Sequence, residues 1–293
     1  MQHFGEILTA MVTPFDQASQ IDWSAVDGLI EHLLDNGTDT LVVAGSTGES
    51  ATLSVEEKVE LFRHVVQRVN GRAKVIAGTG SNNTAATIAL TKAAEDVGVD
   101  GAMLVAPYYN KPPQDALYAH FAAVARATSL PLLIYNVPSR TGCNILPATI
   151  ARLAEISNIF GVKEASGNLD QVSEIARLVP DDFVIYSGDD SLTLPILAVG
   201  GKGVVSVASH VIGKQLKQMV KAYLRGDVWQ ATAIHQQVFP VCKALFVTTN
   251  PIPLKAALNM LGVPVGGLRL PLLPLGESDA AVVRAALEGI GLL

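Results

Sequence analysis

Eight short apolar segments alternate with amphipathic, helix-like segments through the first three quarters of the chain. Segments this apolar are typical of strands buried on both faces, which favours a parallel sheet. The expected strands are Ile7–Thr13, Thr40–Ala44, Lys74–Ala77, Gly101–Ala106, Pro131–Tyr135, Ile159–Ala165, Phe183–Tyr186 and Gly203–Val207. Eight consecutive βα units predict a closed α/β barrel, the (β/α)8 TIM barrel. A doubly wound open sheet is the alternative, but no Gly-x-Gly-x-x-Gly fingerprint follows the first strand.

The last quarter of the chain lacks strand patterning and is expected to be helical. The expected helices are Trp229–Leu245, Pro253–Met260 and Ser278–Leu287. No linker rich in Gly, Ser or Pro separates them from the barrel. We therefore expect residues 1–226 to form the catalytic barrel and residues 227–293 to form a C-terminal helical layer packed on it.

Composition excludes several classes of protein. Hydrophobic residues make up 49% of the 293 residues and charged residues only 16%, so a large core is expected rather than disorder. A net charge of -6 gives no electrostatic reason to expect nucleic acid or an anionic membrane surface as a partner. No apolar run could span a bilayer, residues 1–10 do not resemble a signal peptide, and Cys143 and Cys242 lie far apart as expected for reduced thiols. These features predict a cytoplasmic protein.

A lysine lies in the middle of the sixth expected strand. Alternation places Lys163 on one face with Gly161 and Ala165, which would leave space beside the amine, while Phe160 faces the other way. A confined, partly apolar site lowers the pKa of an amine, and a neutral amine can attack a carbonyl. The alternative is a lysine that extends to solvent and pairs with Glu164 or another acid.

The polar loops that could complete a site all follow the carboxyl ends of expected strands, where barrels of this kind place their active sites. Residues 45–49 combine two glycines with the hydroxyls of Ser46 and Thr47. Backbone N–H groups in such a turn can cradle a carboxylate, and the hydroxyls can relay protons. An ordinary βα turn is the alternative. No Gly-Lys-Ser/Thr follows, so this is not a phosphate-binding P-loop.

Two tyrosines and an arginine lie on neighbouring loops. Tyr108 and Tyr109, on a proline-stiffened loop, are candidates for a substrate or subunit contact. Tyr135 ends the fifth strand beside the lysine strand and could transfer a proton, while Arg140 could bind a carboxylate with two parallel hydrogen bonds. Loop packing, a core tyrosine and a surface arginine are the alternatives. Together with the amine, these groups favour carbon–carbon bond chemistry on a 2-oxo acid through a Schiff base.

A metal site is not expected from this sequence. Metal-dependent aldol chemistry requires clustered ligands, and the histidines are scattered. They are His3, His32, His64, His120, His210 and His235. Asp189 and Asp190 could bind a cation, but a helix N-cap before Ser191 is favoured. We expect neither a metal nor another cofactor.

Six motifs occur in one order along essentially the whole chain. They are residues 45–53 (GSTGESATL), 107–110 (PYYN), 135–142 (YNVPSRTG), 161–166 (GVKEAS), 187–190 (SGDD) and 249–255 (TNPIPLK). Through them the sequence resembles the 4-hydroxy-tetrahydrodipicolinate synthase family, also called dihydrodipicolinate synthase. That family belongs to the pyruvate-dependent class I aldolases, with N-acetylneuraminate lyase. The resemblance implies condensation of pyruvate with L-aspartate 4-semialdehyde, giving 4-hydroxy-tetrahydrodipicolinate in lysine and diaminopimelate biosynthesis.

The resemblance also implies catalytic roles for four residues. Lys163 would form the Schiff base with pyruvate, and Tyr135 would shuttle protons to and from it. Ser46 matches a hydroxyl of the proton relay, although this position is often Thr in the family. Tyr109 would reach into the site from a neighbouring subunit, which implies self-association as a dimer or tetramer.

Four further residues would bind the substrates. Thr47 would bind the pyruvate carboxylate, and Val205 and Gly188 would belong to the substrate-binding site. Arg140 would hold the carboxylate of aspartate 4-semialdehyde. That arginine argues against a lyase acting on a sugar acid, the alternative within the class, because N-acetylneuraminate lyases typically lack it. A barrel that binds an oxo acid without turnover is the alternative of another class.

Feedback by lysine is expected to be weak or absent. Lysine-inhibited relatives have a pocket that contains an acid together with basic or aromatic residues. Ser50, Ala51, Asn82 and Tyr108 fit that pocket. Ala86 stands where the acid would be, and Val55 and Lys58 stand where imidazoles would be. An apolar residue and a cation cannot replace an acid in binding an ammonium group.

Overall fold

Eight parallel strands close into a barrel in the computed structural model, which describes residues 4–293. The strands are β1 Ile7–Ala10, β2 Thr40–Val43, β3 Lys74–Gly78, β4 Gly101–Val105, β5 Leu132–Asn136, β6 Ile159–Glu164, β7 Val184–Ser187 and β8 Gly203–Ser206. Each pairs with its sequence neighbours, and β1 pairs with β8. The predicted (β/α)8 barrel is confirmed. His3, one of the scattered histidines, lies outside the described residues.

Helices follow the strands and cover the outside of the barrel. They are α1 Trp23–Asp35, α2 Val55–Val69, α3 Thr84–Val97, α4 Gln114–Ala125, α5 Pro138–Thr141, α6 Pro147–Ala154, α7 Leu169–Leu178, α8 Thr193–Ala198, α9 Ser209–Leu224, α10 Val228–Ala244, α11 Ile252–Met260 and α12 Glu277–Glu288. Local sequence fixes where they begin: Asp22 accepts from the Ala25 N–H, and Ser54 and Glu57 form a capping box. No helix within residues 4–293 is both long and apolar enough to cross a membrane.

Phe160 differs from the expected alternation. The pairing of β5 with β6 shifts register so that Leu132 lies opposite Ile159 but Leu133 lies opposite Gly161. Phe160 is the extra, unpaired residue at this shift, and its side chain packs in the barrel interior. Its ring stacks on Phe4 with centroids 4.6 Å apart. The prediction that Phe160 faces away from the interior was therefore wrong. Strict alternation fails at an irregularity that a single-strand pattern does not reveal.

The C-terminal helices are tied to the barrel by a buried ion pair. Lys255 on α11 contacts Glu49, in the turn after β2, with 2.6 Å between the ammonium and carboxylate, and both side chains are buried. Lys255 also donates to the Gly267 carbonyl, and the Arg269 N–H donates to Glu49. We propose that residues 227–293 are a layer of the barrel domain and do not form a separate unit.

Candidate active site

A cavity of about 360 Å³ opens at the carboxyl ends of the strands. Six of the eight residues predicted from the sequence line it: Ser46, Thr47, Tyr135, Arg140, Lys163 and Gly188. They come from the ends of β2, β5, β6 and β7, or from the segments that follow them. The barrel therefore gathers residues that are up to 142 positions apart in sequence, which is the arrangement expected for an active site at this face.

Lys163 is only 5% exposed, so its amine has little contact with water. Its register partner on β5 is Tyr135, and its Nζ lies 4.1 Å from the centre of the Tyr135 ring. Burial lowers the pKa of Lys163 to about 7. The negative charge of Asp190 opposes that shift, and the positive charge of Arg140 adds to it. A substantial fraction of the amine is therefore neutral, and nucleophilic, near neutral pH.

Tyr135 is buried beside this amine. Burial raises the pKa of its phenol, whereas the positive charge of Arg140 and a hydrogen bond with Ser46 oppose the rise. Ser46 thus contacts the tyrosine that contacts Lys163. A hydroxyl and a phenol in series provide a route along which a proton can move between the amine and the turn at residues 45–49.

The glycine before the lysine has a different role from the one expected. A Cβ at Gly161 would lie 2.4 Å from the Val184 carbonyl oxygen on β7. Gly161 is therefore needed for the close approach of two strands, and the prediction that it leaves space for a substrate was wrong. Ala165 does line the cavity, and a Cβ at Gly188 would lie 2.6 Å from the Ala165 side chain.

Asn250 joins two of the predicted substrate-binding residues and was missed as a site residue. Its side-chain amide N–H donates to the Thr47 hydroxyl at 2.9 Å. Its backbone carbonyl accepts from Arg140 Nη2 at 3.1 Å. The side-chain oxygen of Asn250 is buried at the cavity without a hydrogen-bond partner. Asn250 lies in the TNPIPLK motif, one of the six motifs through which the sequence resembles the family, but the resemblance implied no role for it.

Two predicted site residues do not line this cavity. Val205 is buried in the barrel interior with Tyr135 and Tyr186. Tyr109 is 89% exposed on the loop after β4, with a positive φ of 73°, and its N–H donates to the Thr141 carbonyl. Within one chain, Tyr109 therefore contributes no wall to the cavity. Its expected role requires a second copy of the chain.

The aspartate pair after β7 binds backbone groups. Asp189 accepts from the Ser191 N–H at 2.9 Å and caps the 3₁₀ turn Asp190–Leu192, which confirms the predicted N-cap. The carboxylate of Asp190 is buried and accepts from the N–H groups of Val207 and Ala208 and from the Ser206 hydroxyl. Across residues 4–293, no group of three or more His, Cys, Asp or Glu residues could hold a metal ion.

A second cavity of about 450 Å³ adjoins the first and shares Ser46 and Arg140 with it. Its walls include the residues considered for lysine binding, apart from Asn82: Ser50, Ala51, Val55, Lys58, Ala86 and Tyr108. Burial lowers the pKa of Lys58, which the charge of Glu57 opposes. Glu49 also lines this cavity, but its carboxylate is already paired with the buried Lys255 and is not free to bind an incoming ammonium group.

A sequence model of the dihydrodipicolinate synthetase family matches residues 3–290. The chain belongs to this family. A 4-hydroxy-tetrahydrodipicolinate synthase of Desulforudis audaxviator is 58% identical over 99% of both chains. A dihydrodipicolinate synthase of Bacillus anthracis is 52% identical, with a TM-score of 0.96 over 98% of this chain and 99% of that one. The enzyme of Cyanidioschyzon merolae, solved with lysine bound, is 48% identical, with a TM-score of 0.97 over 99% of both chains.

Membership of the dihydrodipicolinate synthetase family confirms three predictions from the sequence. The family is the one that the six motifs indicated. The fold is the (β/α)8 barrel with a C-terminal helical part. The activity is that of a lyase, 4-hydroxy-tetrahydrodipicolinate synthesis, in lysine and diaminopimelate biosynthesis.

Proposed function

We propose that the cavity around Lys163 is where this chain condenses pyruvate with L-aspartate 4-semialdehyde. The observation that carries the proposal is the buried amine of Lys163, with a pKa of about 7, lying 4.1 Å from the Tyr135 ring centre. An amine in that state can attack a ketone without a metal ion to polarise it. The hydroxyl, amide and guanidinium groups around it suit the carboxylate groups of the two substrates.

In the first half-reaction, the neutral Lys163 amine adds to the keto carbon of pyruvate. The resulting carbinolamine loses water and becomes an imine, and loss of a methyl proton then gives the enamine. Tyr135 and Ser46 carry these protons, supported by their hydrogen bond. A second copy of the chain supplies Tyr109 to extend the relay. The exposed position of Tyr109 on its own chain supports this assignment.

The pyruvate carboxylate binds at the turn after β2. Thr47 supplies a hydroxyl there, and Asn250 fixes the orientation of that hydroxyl. Gly188 lines the same cavity, and its lack of a side chain keeps the wall at Ala165 open. Val205 lies deeper, in the barrel interior, and contributes through its backbone.

In the second half-reaction, the enamine carbon attacks the aldehyde carbon of the semialdehyde, and the new alkoxide takes up a proton. The substrate amine then attacks the imine carbon, closes the ring and releases Lys163 as the free amine. Arg140 holds the semialdehyde carboxylate. Its guanidinium lies at the cavity wall and is anchored by the Asn250 carbonyl.

The working form is a self-associated enzyme, a dimer or tetramer, in the cytoplasm. Self-association is supported by the need for Tyr109 from another copy. The cytoplasm is supported by the two free thiols, Cys143 and Cys242. Apart from other copies of the chain, the partners that we propose for the enzyme are its two substrates. We propose no nucleic acid, membrane or cofactor.

Steady-state assays test this function directly. Purified enzyme should turn over pyruvate with L-aspartate 4-semialdehyde and should not cleave N-acetylneuraminate. Lys163→Ala should abolish turnover, whereas Arg140→Ala should still form the pyruvate adduct but use the aldehyde poorly. Cleavage of the sugar acid in preference to the condensation would overturn the assignment. Loss of the adduct in Arg140→Ala, as complete as in Lys163→Ala, would overturn the role of Arg140.

A further inference from the structure

Glu164 follows the reactive lysine directly and is a buried carboxylate that accepts four hydrogen bonds from three N–H donor groups. Its side chain is 1% exposed. Asn136 Nδ2 donates to its two oxygens at 3.2 and 3.0 Å, the Ser166 N–H donates at 2.7 Å, and Gln171 Nε2 donates at 3.2 Å. No Lys, Arg or His of residues 4–293 forms a salt bridge with Glu164. Every contact therefore uses Glu164 as an acceptor.

The amides around Glu164 form a closed ring of hydrogen bonds in which Asn136 only donates through its N–H₂ group and Glu164 only accepts. Asn136 Nδ2 also donates to Asn144 Oδ1 at 2.8 Å, and Asn144 Nδ2 donates to Gln171 Oε1 at 2.7 Å. Gln171 Nε2 donates to Glu164 and also back to Asn144 Oδ1, at 3.2 Å in both cases. Asn136 Oδ1 accepts from the Ile145 N–H at 3.0 Å. Each amide is satisfied only in its present orientation, because Glu164 offers oxygens on both sides.

This ring clamps the strand ends that carry the reactive pair. In the parallel register Tyr135 lies opposite Lys163, and the next pair outward is Asn136 opposite Glu164. Tyr135 and Lys163 line the cavity, and Asn136 and Glu164 close the ring. Beyond it the Ala165 N–H donates to the Asn136 carbonyl, the last backbone bond of the two strands. The contacts of residues 144 and 145 also anchor the end of the segment that carries Arg140.

We propose that Glu164, through Asn136, Asn144 and Gln171, is a positioning residue that holds Lys163 and Tyr135 in the geometry required for proton transfer during Schiff-base formation. The inference rests on the proposed function of Lys163. It also gives Glu164 a different role from the one considered from the sequence, which was that of an ion-pair partner for Lys163. Displacement of reacting groups by about 1 Å can cost on the order of a hundredfold in rate, so a clamp at this place affects chemistry more than binding.

The decisive variant is Glu164→Gln, which keeps the shape of the side chain but adds an N–H₂ group. With its oxygen facing the Ser166 N–H, that N–H₂ meets the donors of Asn136 and Gln171. We expect the rate of adduct formation at saturating pyruvate to fall on the order of ten- to a hundredfold. The pyruvate concentration at half-saturation should change little. An undiminished rate in folded Glu164→Gln would overturn the inference.

A paired substitution tests the direction of the ring. In Asn136→Asp with Glu164→Gln, position 136 accepts and position 164 donates to it, and the Asn144 and Gln171 amides can turn over to reverse the bonds between side chains. The Ile145 and Ser166 N–H groups still find an oxygen at positions 136 and 164. We expect the double variant to recover most of the rate lost in Glu164→Gln. A folded double variant that is no faster than the single variant would contradict the proposal.

Asn158 provides the matched control at the other end of the same strands. Its side-chain amide donates to the carbonyls of Ala125, Thr128 and Leu130, away from the cavity. Asn158→Ala should lower the thermal midpoint yet keep the wild-type rate of adduct formation. An equal slowing in Asn158→Ala would reduce Glu164 to a general structural role. Absence of an adduct in the wild-type enzyme would instead refute the proposed function, so the two failures are distinguishable.

Discussion

The side-chain amide of Asn250 donates to the Thr47 hydroxyl at 2.9 Å across 203 positions of sequence. Asn250 precedes α11 in the C-terminal layer, whereas Thr47 lies in the turn after β2. The backbone carbonyl of Asn250 accepts a hydrogen bond from the Arg140 guanidinium. The helical layer therefore contributes directly to the walls and the organisation of the catalytic cavity.

Asn250→Ala should weaken pyruvate binding more than it slows the chemical steps. The substitution frees the Thr47 hydroxyl, and a hydrogen bond of this kind contributes about 0.5–1.5 kcal/mol, so KM for pyruvate should rise roughly two- to tenfold. Asn259→Ala is the control, because the Asn259 side chain bonds to residues 265 and 266 of its own layer and not to the cavity. An unchanged KM for pyruvate in Asn250→Ala would show that Asn250 does not orient Thr47.

The rate of adduct formation should depend on pH through Lys163. Burial lowers its pKa to about 7, so the neutral, nucleophilic fraction rises as the pH increases through about 7 and levels off above it. Stopped-flow measurement at saturating pyruvate between about pH 5.5 and 9 would give the half-maximal point. A rate that still increases tenfold per pH unit at the alkaline end would show that the amine retains an ordinary lysine pKa.

Removing one member of the buried Glu49–Lys255 pair should be strongly destabilising. Lys255→Met leaves the Glu49 carboxylate buried without its cation, which typically costs about 3–5 kcal/mol of unfolding free energy. Replacing both, as Glu49→Gln with Lys255→Met, should recover much of that loss. Urea unfolding measures both effects and should show one cooperative transition. Two separate transitions in the wild-type protein would contradict the proposal that residues 227–293 belong to the barrel domain.

Lysine should inhibit weakly or not at all. In the second cavity Ala86 stands where the acid would be, and Val55 and Lys58 stand where imidazoles would be. An ammonium group would therefore meet no acid at position 86, and Lys58 adds a repelling cation. A steady-state assay with increasing lysine measures the effect, and arginine or ornithine serves as a control for nonspecific cation effects. Strong inhibition at sub-millimolar lysine would contradict this expectation.

Much of this architecture could be predicted from local pattern. The strands follow from eight apolar segments, and the strand carrying Lys163 is recognisable because the four residues before the lysine, 159–162, are small or apolar. The roles of Gly161 and Phe160 could not be predicted, because they depend on the approach of β7 and on a register shift between β5 and β6. Asn250 was missed as a site residue because it acts on Thr47, which is distant in sequence. The effect of the Asp190 charge on the pKa of Lys163 could not be predicted for the same reason.

The most direct test of Schiff-base formation at Lys163 is borohydride reduction in the presence of pyruvate, followed by peptide mass analysis. Reduction of the imine would fix the pyruvate carbons covalently to the lysine nitrogen. We expect one reduced pyruvyl group per chain, on the peptide containing Lys163, and none in Lys163→Ala or without pyruvate. Lys255 is the other buried lysine with a pKa lowered by burial, so it provides an internal comparison. If no adduct forms, or if it forms on Lys255 in place of Lys163, then Lys163 is not the residue that forms the Schiff base.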